Sequence, residues 1–115
     1  MSEPSIFTRI IQGEIPADPV FQDERVMVLR DIQPKAPVHL LVVPLTGAYR
    51  DVTELAAGDP ELLGHMVGVA KDMANIHADG DFRLVFNTGA GAGQTVFHVH
   101  AHVLAGGLEE ESLAG

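Results

Sequence analysis

The run Phe97-His98-Val99-His100-Ala101-His102-Val103-Leu104 alternates imidazoles with small or branched apolar side chains. A two-residue period is the signature of an extended strand, in which alternate side chains share a face and stand roughly 7 Å apart. His98, His100 and His102 are expected to form one imidazole row, with Val99, Ala101 and Val103 turned toward a core. Strand formation does not call for histidine, because Thr, Val or Tyr serve it better. Crowded imidazoles discourage one another from carrying charge, which keeps a ring lone pair available at neutral pH. Such a lone pair is a nucleophile or a metal ligand.

Working outward, Asn87-Thr88-Gly89-Ala90-Gly91-Ala92-Gly93-Gln94-Thr95 leads directly into this run. It is no P-loop, since Gly-Lys-Ser/Thr is missing and no helix follows. The glycine spacing also fails the dinucleotide fingerprint. Its small residues do permit close approach of backbone N–H groups to an anion. His39 interrupts the apolar strand Val38 to Val43, where a buried imidazole needs partners for both nitrogens. It is either a core histidine bonded to backbone or a support that orients the imidazole row.

Ser5 caps a short helix from Ile6 to Gln12 that Gly13 closes. Val20-Phe21-Gln22 and Val26 to Leu29 form a hairpin about Asp23-Glu24. The longest helix runs from Pro60 to His77, with Asp59 as cap and Gly80 beyond its end. Leu62, Met66, Val69, Met73 and Ile76 are its expected buried stripe. Phe82 to Asn87 is a further strand. Strands that mostly follow one another favour an α+β fold, a mainly antiparallel sheet with one long and one short helix.

With 115 residues the chain is expected to be one domain, 1–115, with an acidic tail from about residue 108. There are no cysteines, which excludes disulfides and Cys-based zinc modules and makes the cytoplasm the expected compartment. The start of the chain has no secretory pattern and no segment reaches membrane-spanning length. A net charge of −9 argues against polymeric nucleic acid and anionic membranes as partners.

Together these residues resemble the histidine triad family, whose signature is His-φ-His-φ-His-φ-φ with φ apolar. The match is His98-Val99-His100-Ala101-His102-Val103-Leu104. Gly13-Glu14-Ile15-Pro16-Ala17, Asp31-Ile32, Ala36-Pro37, Leu63-Gly64-His65 and Gly93-Gln94 resemble the nucleotide-binding (Hint) branch of that family. The resemblance implies a homodimer that binds purine nucleoside monophosphates and hydrolyses their phosphoramidates, with no cofactor and no required metal. It implies His100 as the nucleophile, His98 as its carbonyl partner, His102 as a phosphate contact and His39 as a supporting histidine. It further implies Asn87, Gly93, Gln94 and Thr95 around the phosphate, Asp31 on the ribose, and Ile6, Phe7, Ile10 and Ile32 around the base. Arg30 stands where the branch often has an aromatic residue or His, and is expected to bias base or leaving-group preference. The alternatives are a dinucleoside polyphosphate hydrolase or phosphorylase, a zinc site on the same histidines, and a noncatalytic nucleotide-binding or interaction protein.

Overall fold

Val38–Pro44 (β3) is apolar on both faces because it lies at the centre of the sheet and is covered on both sides. The computed structural model describes residues 4–109. Phe21–Gln22 (β1), Val26–Arg30 (β2), β3, Arg83–Val85 (β4) and Ala101–Ala105 (β5) form one antiparallel sheet in the order β1-β2-β3-β5-β4. The α+β expectation is met, with more helix than the sequence reading supplied. Ile6–Ile11 (α1), Val52–Gly58 (α2) and Pro60–His77 (α3) are the three α-helices among the described residues.

One face of the sheet presents Val26, Val28, Leu40, Val42, Ala101 and Val103 to α2 and α3. Leu62, Met66, Val69 and Met73 of α3 are buried there, at about 1.5–3 kcal/mol for each large side chain. That outweighs the roughly 1 kcal/mol that Gly64 and Gly68 each cost the helix against alanine. Ile76 does not belong to the stripe. It is 68% exposed, and Ala70 and Ala74 take the inner positions instead. The opposite face buries Met27, Leu29 and Val43 beneath Phe7 of α1, with Leu41 packed at the edge of that cluster. His39 and His102 share this second face, since Leu41 pairs with His102 and His39 with Leu104.

The histidine strand is shorter than its alternation suggests. Pairing begins at Ala101, opposite Val42, so His98 and His100 precede the ladder. The cause lies in β3: Pro44 has no N–H to donate, and its carbonyl accepts from the His98 ring. Val99 bonds instead to the Tyr49 carbonyl in the following loop. β4 is likewise shorter than Phe82 to Asn87. The helix α2 was not expected, although Asp51 and Glu54 mark its start. Asp51 Oδ1 accepts from the Glu54 N–H, and the Glu54 carboxylate accepts from the Arg50 N–H, close to a capping box.

The β1–β2 hairpin is tied to α3 through Asp23. Its Oδ1 accepts from the N–H groups of Arg25 and Val26, each at 2.8 Å, while Oδ2 accepts from His65 Nε2 at 2.7 Å. We expect Asp23→Ala to lower stability by about 1–3 kcal/mol, read as a shift of the denaturant midpoint. Exposed Glu24→Ala is expected to move it by less than about 0.5 kcal/mol; equal shifts for the two variants would contradict the tie.

Candidate active site

The site is built from His98 outward. Its ring is 1% exposed, and Nε2–H donates to the Pro44 carbonyl at 2.8 Å. Neutral imidazole has one N–H, so Nδ1 is the acceptor. It lies 2.8 Å from the Ser5 hydroxyl and 3.3 Å from that of Thr8. Ser5 also caps α1 through the Thr8 N–H, as its place before Ile6 suggested. His98 therefore leaves the expected imidazole row: its side chain is a strut between α1 and β3.

Its backbone does something different. The His98 carbonyl accepts from His100 Nδ1–H at 2.9 Å. This fixes the tautomer of His100 and puts the lone pair on Nε2, which has no hydrogen-bond partner among the described residues. The half-buried His100 ring stands edge-on to Phe7 with centroids 4.9 Å apart, and 5.2 Å from the His102 ring.

His39 settles its alternatives by doing both jobs. Its Nδ1 accepts from the Lys35 backbone N–H at 3.0 Å, so the proton sits on Nε2. That proton is donated to His102 Nδ1 at 2.9 Å, with Asp31 Oδ2 3.4 Å away. Neutral His102 consequently carries its own proton on Nε2. The result is a polarised chain from the Lys35 amide through two imidazoles. Asp31, His39 and His102 also have ligand atoms within 4.8 Å of one another, a spacing that suits a metal ion.

Every imidazole here is held below its ordinary value of 6.5. Burial is the leading cause for His39, His98 and His100. His102 is pushed down to about 4, by burial first and then by its neighbours His100 and His39. These rings are neutral at pH 7, the state a nucleophile requires.

A cleft of about 480 Å³ opens from His102 and His39, with Asp31 and Asn87 on its walls. Asn87 has no intramolecular hydrogen bond among the described residues. Gly93 adopts φ +93° at the end of the 3-10 turn Ala90–Ala92, and Thr95 is exposed beside it. Gln94 differs from the expectation of a substrate contact. Its buried side-chain amide donates to the carbonyls of Arg50 and Val96 and accepts from the Gly89 N–H, so it shapes the loop from inside. Phe7 and Ile10 belong to the apolar cluster beside His100, whereas Ile6 and Ile32 remain outside it, Ile32 at 95% exposure. Arg30 also differs. It pairs with Leu40 and shares the α3 face of the sheet, away from the cleft. The cations lining the cleft are Lys35 and Arg83, neither of which the sequence reading selected.

The family described as "Scavenger mRNA decapping enzyme C-term binding" matches residues 4–114. An uncharacterized HIT-like protein of Synechocystis is 46% identical over 110 residues, covering 92% of this chain and 93% of its own. The chain belongs to the histidine triad family. A histidine triad relative in Escherichia coli, purine nucleoside phosphoramidase, is 41% identical over 108 residues, covering 92% of this chain and 90% of its own. The solved structure of a HIT family hydrolase from Legionella pneumophila superimposes with a TM-score of 0.84 at 39% identity, covering 91% of this chain and 95% of that one. The histidine triad signature of this chain thus maps onto two kinds of histidine: His98, buried as a strut, and the pair His100 and His102, of which His102 lines the cleft and His100 stands beside it.

The pH dependence of stability tests these burials. A histidine depressed below 6.5 in the folded state binds fewer protons than in the unfolded chain. Its stabilisation is present above pH 6.5 and is lost as pH falls from 6.5 toward the folded value, about 4 for His102. Asp23, Asp51 and Glu54 are also lowered, but their effect begins only below their ordinary values of 3.8 to 4.5. The denaturant midpoint should therefore drop between about pH 7 and about pH 5. A level midpoint across that interval would contradict neutral buried imidazoles.

Proposed function

We propose that this protein hydrolyses purine nucleoside phosphoramidates of the AMP type through a covalent nucleotidyl intermediate on His100. The observation that carries the reading is the 2.9 Å bond from His100 Nδ1–H to the His98 carbonyl, which aims a fixed lone pair from Nε2. The name of the E. coli relative points the same way.

In this reading Phe7, Ile10, Ile6 and Ile32 receive the purine and Asp31 accepts from the ribose hydroxyls. Asn87, Thr95 and the backbone at Gly93 hold the phosphoryl oxygens, while Gln94 keeps that loop in shape. His100 Nε2 attacks phosphorus, and the bond to the leaving nitrogen breaks with its electron pair on nitrogen. The positive charge that develops on the His100 ring is held at Nδ1–H by the His98 carbonyl. His102 is neutral, so its Nε2–H hydrogen-bonds the departing nitrogen and keeps its proton, and solvent entering the cleft supplies the proton the amine carries away. Water then attacks the nucleotidyl-imidazole, releasing the nucleoside monophosphate, a proton and free His100. Splitting one displacement into two is the gain from a nucleophile, and fixed donors around phosphorus stabilise both transition states. No step calls for a metal.

His100→Ala is expected to abolish turnover of an alkyl AMP phosphoramidate while AMP binding, followed by calorimetry, stays close to wild type. Turnover within about tenfold of wild type, a rise of only ~1.4 kcal/mol in the barrier, would remove His100 as the nucleophile. Faster cleavage of Ap3A or Ap4A than of the phosphoramidate would move the substrate to dinucleoside polyphosphates.

The proposal includes a homodimer, formed through the outward side of α3 and the open edge of β4. Added Cβ atoms at Gly64 and Gly68 would meet nothing within 4 Å, and Val67 and Ile76 beside them are exposed. Sedimentation at micromolar concentration should report about twice the 12.3 kDa chain mass, and Gly68→Leu should shift the protein toward monomer. A monomeric wild type would rule the assembly out.

A further inference from the structure

We infer that Ser5 is a positioning residue for His100, acting through the ring and then the carbonyl of His98. The inference rests on the nucleophilic role proposed above for His100. It adds a residue, outside the histidine signature, that sets the geometry of that ring.

The carbonyl that orients His100 lies outside the sheet. Pairing of β5 with β3 begins at Ala101, so the peptide between His98 and Val99 has no ladder to hold it. Its N–H is tied to the Tyr49 carbonyl at 3.0 Å. Its other side is tied through the His98 side chain, which is anchored at both ring nitrogens and stands edge-on to Phe7, centroids 5.8 Å apart. One anchor, the Pro44 carbonyl, belongs to the sheet. The other, Ser5 Oγ at 2.8 Å from Nδ1, comes from the start of α1. One bond leaves the ring free to swing about it, and a second on the other side of the ring fixes its rotation. With the ring fixed, the His98 carbonyl stays where His100 Nδ1–H can reach it at 2.9 Å.

A hydroxyl suits this position for a chemical reason. His98 Nδ1 is the acceptor nitrogen, so its partner has to donate. Ser5 gives its O–H to Nδ1 while its oxygen accepts from the Thr8 N–H at 3.0 Å. Thr8 Oγ1, 3.3 Å from Nδ1 and 3.2 Å from Ser5 Oγ, is the longer and weaker second contact. Gly47 closes over the same place, where even a Cβ would lie 3.3 Å from Thr8 Oγ1 and 3.8 Å from His98 Nδ1.

Two substitutions separate the donor from the helix cap. Ser5→Gly removes the hydroxyl but keeps a residue that serves an N-cap nearly as well, whereas Ser5→Thr keeps both functions. With an alkyl AMP phosphoramidate, Ser5→Gly should lower kcat by about fivefold, the scale of one neutral hydrogen bond. Adding Thr8→Val, which removes the second hydroxyl, should lower it further. AMP affinity by calorimetry should stay within about twofold of wild type, because α1 keeps its cap. Ser5→Thr should retain most of the wild-type kcat. Long-range ¹H–¹⁵N spectra of the histidine rings read the positioning directly. Wild-type His100 should show one tautomer, protonated at Nδ1, and Ser5→Gly/Thr8→Val should add a population protonated at Nε2.

An unchanged kcat in the double variant would overturn the inference. So would a fall in kcat matched by an equal loss of AMP affinity with the His100 tautomer intact, which is the result of a loosened α1 alone. A wild type that cleaves no phosphoramidate would overturn the proposed function instead, and the tautomer of His100 in the double variant would still decide whether Ser5 positions the ring.

Discussion

At the point where β3 runs out of N–H groups, the carbonyl of Pro44 accepts a proton from His98, and the site takes its form from that bond. Burying an imidazole without partners for both nitrogens would cost more than the rest of the ring contributes. With Pro44 on one side and the α1 hydroxyls on the other, the cost is removed and the tautomer is fixed. The backbone of residues 97–100 leaves the ladder as a consequence, and the His98 carbonyl turns to His100 Nδ1. The open lone pair of His100 is thereby placed on Nε2 by way of a proline that lies 54 residues from His98 in sequence.

Much of this could be read from the chain before any coordinates. The limits of α3 were written in Asp59-Pro60 and Gly80, because caps and proline act within a turn of where they stand. The apolar positions of the histidine run were also legible, since Val99, Ala101 and Val103 are buried in the core. The same alternation misled at His98 and His100: a period of two says strand, but a strand needs a partner, and the partner's end at Pro44 is a long-range fact. Asp51-x-x-Glu54 carried a local signal for α2 that was open to reading. The roles of Ser5, Thr8 and Arg83 carried none, because only the folded register brings them to His98 and to the cleft end. Arg30 is the converse. Adjacency to Asp31 suggested a place in the site, and the pleat put it on the other face.

The glycine loop divides its labour between sequence and interior. Gly93 needs its positive φ, which an L side chain resists, while Gln94 next to it holds the turn from within through buried amide bonds. A loop braced in this way holds its backbone N–H groups at fixed positions, with little left to order.

The hydroxyl of Ser5 has two dependants, the first turn of α1 and the ring of His98. Fraying of that helix and loosening of the imidazole are therefore one local opening rather than two. The orientation of the His100 ring is coupled in turn to the integrity of the six-residue helix α1. Short terminal helices open at low free energy. The first turn of α1 and the contact between His98 and His100 are thus held by one hydroxyl, and what steadies the turn steadies both rings.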